Sequence, residues 1–139
     1  MDMELVAEYT RGVQFKLSAR GHEVICDQPD TNGGDDTGMT PPEFLLASLA
    51  SCAGFYAVQY LRTRQLPTDG LRVKVTAEKA MQPARVGKFG IEVAIPDVEY
   101  RHREGVLRAV KQCLIHNTLL HPPEIGIELT PAAATATLP

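Results

Sequence analysis

The sequence has 139 residues, a length that fits one domain with its own hydrophobic core. Hydrophobic residues make up 44% and charged residues 22%, the balance of an ordinary soluble globular protein. The net charge is −3 and the Lys and Arg residues are scattered, which excludes a concentrated basic surface for nucleic acid or anionic membranes. There is no run of about eighteen apolar residues and no basic start typical of a secretory signal, so we expect a cytoplasmic protein with no membrane span.

The first part of the chain predicts a three-strand meander followed by a long loop. Two Arg-Gly pairs, Arg11-Gly12 and Arg20-Gly21, separate segments of alternating or β-prone residues. The loop is rich in Asp, Gly, Asn and Pro, and loops of this length in small domains are often functional. The predicted strands cover residues 4–10, 13–17 and 22–26, and the loop covers residues 27–39.

A buried helix is predicted after this loop. Thr40 is a good N-cap, Pro41 suits the first helical position, and Glu43 completes a capping box. Residues 44–64 are dense in Leu and Ala and are apolar on most faces, which is typical of a helix buried nearly all round. Gly54 inside this helix predicts a close packing contact.

The remaining elements predict an α+β domain that spans residues 1–139. Strict alternation predicts a strand at residues 71–77, with a hairpin partner at residues 87–95. A second helix is expected at residues 101–120, ended by Pro122-Pro123. A last short strand at residues 125–129 precedes a tail expected to be frayed. The predicted order is βββ-α-ββ-α-β.

Three cysteines, Cys26, Cys52 and Cys113, are the candidates for chemistry. Their number is odd, and no two of them have a CxxC spacing. In a reducing compartment a structural disulfide framework is therefore improbable. Each taken alone is more often a small buried hydrophobe, and packing is the role we expect for Cys26. His116 lies one turn after Cys113, but a metal site needs three or four ligands, so this alternative is weak.

Two segments together resemble the OsmC/Ohr family of hydroperoxide reductases. Residues 40–52 (TPPEFLLASLASC) are similar to the family's N-P-x-E-L…A-x-x-x-C helix opening. Residues 113–125 (CLIHNTLLHPPEI) are similar to the C-x-[IV]-H-N-T-L ending of many OsmC-like proteins. Both segments occur in the family's order, about sixty residues apart, within an element order that covers essentially the whole chain.

The resemblance implies an intertwined homodimer, in which two long central helices pack against six-stranded sheets built from both chains. It also implies a thiol-dependent peroxidase that reduces organic hydroperoxides or peroxide. Cys52 matches the peroxidatic cysteine, which becomes a sulfenic acid, and Cys113 matches the resolving cysteine. An external dithiol, of the lipoyl type in the Ohr branch, restores the pair, and no bound cofactor or metal is expected.

A thiolate on a buried helix needs a cation beside it. In the Ohr branch this is an arginine of the first hairpin, which Arg11 matches best, with Arg20 in reserve. The family's acid partner lies ten residues before the cysteine, where this chain has Pro42. Glu43 is the candidate replacement, but it is turned by about 100° around the helix axis. The alternative function is a non-catalytic stress or small-ligand-binding protein on the same fold.

Overall fold

The computed structural model describes residues 3–132. Within that range three antiparallel strands precede a long helix, a β-hairpin and two shorter helices. A single 3-10 turn, Asp30–Asn32, lies in the loop before the long helix. The elements are β1 (Val6–Arg11), β2 (Gln14–Ala19), β3 (His22–Cys26), α1 (Pro41–Thr63), β4 (Arg72–Ala80), β5 (Arg85–Ala94), α2 (Tyr100–Val110) and α3 (Leu114–Leu120).

The predicted meander is confirmed as a sheet in the order β1-β2-β3, with both pairs antiparallel. Gly12 and Gly21 lie in its turns with φ of +54° and +84°, a region that residues with a Cβ rarely adopt. The two turns lie at opposite ends of the sheet, and the 27–39 loop leaves β3 at the Gly12 end. The strands of the meander contact one another extensively. They make no contacts of comparable extent with the helices of the same chain.

Helix α1 begins where the capping signals predict. It buries one stripe, formed by residues four apart that lie on the same face. The expectation of a helix buried all round is wrong for the single chain, because Phe55 on the opposite side is 59% exposed. The stripe consists of Leu49, Ala53, Ala57 and Leu61.

Helix α1 is also long and apolar enough, by length and composition, to cross a membrane. The core helix of a soluble protein meets the same criteria. Here the buried stripe of α1 packs in a hydrophobic core with the β4–β5 hairpin and α2, to which Val73, Ile91 and Val106 contribute. The position of α1 in the fold is therefore that of a core helix.

The predicted second helix is interrupted, which corrects its single span of residues 101–120. Helix α2 ends at Val110, and Cys113 has extended backbone angles of φ −54° and ψ 130°. The Cys113 sulfur accepts a hydrogen bond from the backbone N–H of His116 and so caps α3. A side-chain cap satisfies a free N–H at a helix start, so the chain can bend at Cys113 without losing that bond.

The predicted strand at residues 125–129 is not formed within the chain. Ile125, Ile127 and Leu129 are 83%, 87% and 98% exposed, and the segment pairs with no strand in the part of the chain that the structure describes. A strand needs a neighbour to bond its backbone N–H and C=O groups. The α+β class and the predicted order are otherwise confirmed. Most of the tail from Pro131, expected to be frayed, lies outside the described residues.

Candidate thiol site

Helices α1 and α3 bring the two predicted redox cysteines together. Cys52 lies in the middle of α1 and is partly exposed, whereas Cys113 at the α2–α3 bend is fully buried. The Cys113 thiol lies near the Cys52 side chain, close enough for Cys52 to affect its pKa. The bend matters for this arrangement, because it places Cys113 at the start of α3, which packs against α1.

The surroundings of Cys113 favour its protonated form. Burial is the largest cause that raises the pKa of this thiol, and the neighbouring Cys52 side chain raises it further. Backbone N–H groups of His116 and Ile115 act in the opposite direction, and the His116 nitrogen lies 3.5 Å from the sulfur. Burial has the larger effect, so Cys113 is a neutral thiol near pH 7.

An apolar groove of about 660 Å³ lies between β5 and α2. Val110 and His116, which flank Cys113 along the chain, both line it. Charged side chains of Asp97, Arg103 and Lys111 also border the groove. Its shape and lining are those of a site that could accept a small, mainly apolar molecule.

The structure places Arg11 away from the thiols of its own chain. Its Nη1 atom bonds to Oδ2 of Asp35 in the loop at 2.7 Å, and both side chains are more than half exposed. Arg20, the reserve candidate, lies in the other turn with φ of +51°, at the opposite end of the meander. Neither arginine is brought to Cys52 within the described residues.

Glu43 has a local role at the start of α1. Its Oε1 atom accepts hydrogen bonds from the backbone N–H and the hydroxyl of Thr40, each at 2.9 Å. The same two bonds lower the pKa of Glu43. The predicted capping box is confirmed, and within this chain the acid bonded to Arg11 is Asp35.

Asp27 is an organising residue that the sequence reasoning missed. It is 1% exposed, and its carboxylate accepts hydrogen bonds from the backbone N–H groups of Gln28, Asp35 and Thr37 and from the Thr37 hydroxyl. These bonds, the Thr37 hydroxyl first, lower its pKa from 3.8 to about 2. An Asp at the entry to a Gly- and Thr-rich loop was the available signal, since such residues bond nearby backbone N–H groups.

Cys26 precedes Asp27 and is itself buried. Burial, and to a smaller degree the negative charge of Asp27, raise the pKa of its thiol. A protonated, shielded thiol is a poor nucleophile, which fits the packing role expected for Cys26. Within residues 3–132 no three His, Cys, Asp or Glu side chains come close enough together to hold a metal ion.

A comparison with known protein families shows to which family the chain belongs. The model of the family described as "OsmC-like protein" matches residues 33–128, which include α1, the β4–β5 hairpin and both cysteines of the thiol site. The match covers more than half of the chain. The protein therefore belongs to the OsmC-like family, as the two sequence segments predicted.

Solved structures with the same fold support this assignment. A candidate osmotic stress and detoxification response protein of Psychrobacter arcticus is 20% identical, with a TM-score of 0.76 over 82% of this chain and 85% of that one. An OsmC-like protein of Mycoplasma pneumoniae is 19% identical, with a TM-score of 0.74 over 88% and 89%. The organic hydroperoxide resistance protein OhrB of Bacillus subtilis is 17% identical, with a TM-score of 0.57 over 85% and 90%. No curated protein sequence matches the chain.

Proposed function

We propose that the protein is a thiol-dependent peroxidase that reduces organic hydroperoxides. The single observation that carries this proposal is that the fold brings the partly exposed Cys52 near the buried Cys113, although the two are sixty-one positions apart in the sequence. The hydroperoxide resistance named for the Bacillus subtilis neighbour is a property of that protein, and it supports the same choice of substrate class here.

The proposed reduction of a hydroperoxide has three steps, and atoms and electrons balance in each. The Cys52 thiolate attacks the outer oxygen of the hydroperoxide, the O–O bond breaks, and the leaving alkoxide takes a proton to become an alcohol. The Cys113 thiol then attacks the Cys52 sulfenic acid, forming a disulfide and releasing water. An external dithiol reduces the disulfide and is itself oxidised to its own disulfide. The net change is hydroperoxide plus dithiol giving alcohol, water and oxidised dithiol.

The two environments support this order of roles. Cys52 is the more accessible of the two thiols, as the group that meets peroxide must be. Cys113 is buried and its pKa is raised, so it remains a protonated thiol until the sulfenic acid forms beside it. The short separation favours bridging over further oxidation of Cys52.

In this proposal the cation that stabilises the Cys52 thiolate is Arg11 of the partner subunit. The loop that bonds to Arg11 leads into Thr40 at the start of α1. Because an α-helix rises about 1.5 Å per residue, Thr40 lies roughly 18 Å from Cys52 along the helix axis. Arg11 of the same chain bonds to Asp35 and makes no bond to Cys52. A second copy, with its α1 beside the first, can supply the guanidinium that the thiolate needs.

A homodimer is supported by the surfaces that one chain leaves uncovered. Only 22% of the most apolar window of α1 is buried, and within residues 3–132 the β1–β3 meander makes no extensive contact with a helix. A soluble monomer rarely exposes this much contiguous apolar surface. We place the protein in the cytoplasm, where dithiol reductants keep such a pair reduced.

The proposal is tested by peroxide consumption. Purified protein is mixed with cumene hydroperoxide and a dithiol, either dithiothreitol or dihydrolipoamide, and loss of hydroperoxide is followed. We expect turnover by the wild type, none by Cys52→Ser, and one oxidation event without sustained turnover by Cys113→Ser. The matched control is Cys26→Ser, which removes a buried thiol outside the pair and should retain turnover. Full turnover by Cys52→Ser would contradict the assignment.

A second candidate function is the binding of a small apolar ligand without turnover. The groove between β5 and α2 is the observation that favours it. Calorimetric titration with an apolar carboxylic acid, such as decanoate, distinguishes the two candidates. Binding that survives in Cys52→Ser, together with no hydroperoxide consumption by the wild type, would favour the binding protein.

A further inference from the structure

The bond between Arg11 and Asp35 joins two parts of the chain that are far apart in sequence. Nη1 of Arg11 lies 2.7 Å from Oδ2 of Asp35, an ideal distance for a charge-assisted hydrogen bond. The side chains are 63% and 58% exposed. An exposed ion pair by itself contributes little and holds its partners weakly. A fixed arginine therefore requires an acid that the backbone holds in place.

The backbone at Asp35 is held in place by the buried side chain of Asp27. The buried Asp27 carboxylate accepts a hydrogen bond from the Asp35 N–H at 3.3 Å and another from the Thr37 N–H at 3.1 Å. The Thr37 hydroxyl also accepts a bond from Nε2 of Gln14 on β2 at 2.7 Å. Asp35 thus lies in a stretch of loop that is tied both to the end of β3 and to the hairpin that carries Arg11.

Two glycines allow this close approach of the loop to β3. A Cβ atom at Gly34 would collide with the backbone carbonyl of Gln28, and one at Gly38 would collide with the carbonyl of Ile25. Backbone atoms cannot move aside as a flexible side chain can. The segment from Gly34 to Gly38, which includes Asp35, can therefore pack closely against the end of β3.

We propose that Asp35 is the positioning residue that orients Arg11 towards Cys52 of the partner subunit, and that Asp27 anchors Asp35 for this purpose. This inference rests on the proposed peroxidase function. Pro42 occupies the position of the acid expected at the start of α1, and a proline side chain cannot accept a bond from a guanidinium. Glu43 is bonded to Thr40 instead. Asp35 fills the missing role from the loop.

One bond to Asp35 leaves most of the guanidinium available. Arg has five N–H donors, and Nη1 uses one of them on the carboxylate. The free donors can meet a thiolate or the oxygen of a bound hydroperoxide. A guanidinium held on one edge presents its other edge in a fixed direction, which lowers the entropy lost when the reacting groups meet.

The test is a double-mutant cycle on Arg11 and Asp35, with a neighbouring carboxylate as control. Asp35→Asn and Asp36→Asn remove the same charge one residue apart, and Asn tolerates the left-handed backbone of Asp36, whose φ is +54°. We expect Arg11→Gln and Asp35→Asn each to lower kcat/KM for cumene hydroperoxide by roughly tenfold to a hundredfold, as for a displaced positioning group. Asp36→Asn should match the wild type.

Coupling separates positioning from a general structural effect. The loss of kcat/KM in the double variant should be no larger than the loss in Arg11→Gln alone, because Asp35 acts only through Arg11. Additive losses, or equal behaviour of Asp35→Asn and Asp36→Asn, would overturn the inference. The same cycle measured on the rate of Cys52 alkylation by iodoacetamide needs no turnover. A wild type that fails to consume hydroperoxide would remove the proposed function, while the alkylation cycle would still decide the role of Asp35.

Discussion

At the scale of single residues, the three cysteines differ because their surroundings differ. Cys26 and Cys113 are buried and their thiol pKa values are raised by desolvation, whereas Cys52 is partly exposed on α1. The thiolate is the reactive form of cysteine, and access decides which thiolate an external reagent meets. One chain therefore contains one accessible thiol and two shielded ones.

This difference predicts selective alkylation. In the native, reduced protein near pH 7, iodoacetamide should modify Cys52 on the order of tenfold faster than Cys26 or Cys113, because the other two are both shielded and protonated. Peptide mass spectrometry after a time course measures the three rates. Equal labelling of all three in the native protein would contradict the described burial, and unfolded protein provides the control in which the rates should converge.

The buried Asp27 predicts a dependence of stability on pH. Its folded-state pKa is depressed from 3.8 to about 2, so the carboxylate form stabilises the fold above 3.8. This contribution is lost as the pH falls through 3.8 towards about 2. The difference in unfolding midpoint between the wild type and Asp27→Asn should therefore be constant near pH 7 and shrink in that acid range. Urea unfolding at a series of pH values measures it, and a pH-independent difference would contradict the prediction.

At the scale of elements, α1 and α2 meet at a glycine. A Cβ atom at Gly105 would collide with the hydroxyl and ring of Tyr60, whose hydroxyl also lies 3.2 Å from Nδ1 of His102. Arg64 covers the ring of Tyr60 at 3.7 Å from its centre, which limits where the ring can move. Gly54, the other helical glycine, has more room, because its Cβ would meet only Cγ2 of Val73 at 3.5 Å.

The two glycines form a matched pair for mutation. Gly105→Ala should destabilise the protein by about 1–3 kcal/mol, the usual range for overpacking a filled site. Gly54→Ala should be neutral or stabilising by up to about 1 kcal/mol, because Ala is the better helix former. Denaturant unfolding measures both changes. Equal effects of the two substitutions would show that the Tyr60 contact does not limit the packing of α2.

Local signals explain which elements the sequence could predict. The capping box at Thr40, the meander turns and the β4–β5 alternation depend on neighbouring residues, and all are confirmed. The bend at Cys113 was missed because the apolar spacing continues through it, while the break depends on a sulfur cap. The pairing of Arg11 with Asp35 was also missed, since it depends on how the 27–39 loop folds back on the hairpin.

At the scale of the whole molecule, the segment of residues 125–129 has the pattern of a strand but pairs with no strand among residues 3–132. Ile125, Ile127 and Leu129 alternate with polar or small residues and are almost fully exposed. In the proposed dimer, an extended segment of this kind would bury its apolar side by joining the sheet of the other copy. The alternation of the sequence predicted the strand, but a strand also needs a neighbour, and alternation alone does not supply one.

The proposed dimer predicts a clear effect of one substitution. The wild type should elute and scatter light at about twice the chain mass of 15.2 kDa. Ile127→Asp places a charge on the apolar side of the segment and should shift the mass towards one chain or lower the dimer affinity. Glu128→Gln, on the opposite side of the extended segment, is the control and should remain dimeric. A monomeric wild type would contradict the shared site.

The central claim is that Cys52 and Cys113 form one redox pair, and the mass of the protein after oxidation tests it most directly. Reduced protein is treated with one equivalent of cumene hydroperoxide, and intact mass and linked peptides are measured. We predict a loss of about 2 Da, one linked pair of peptides that contain Cys52 and Cys113, and a free Cys26. Stable sulfinic acid on Cys52 without any bridge, or a bridge to Cys26, would contradict the account.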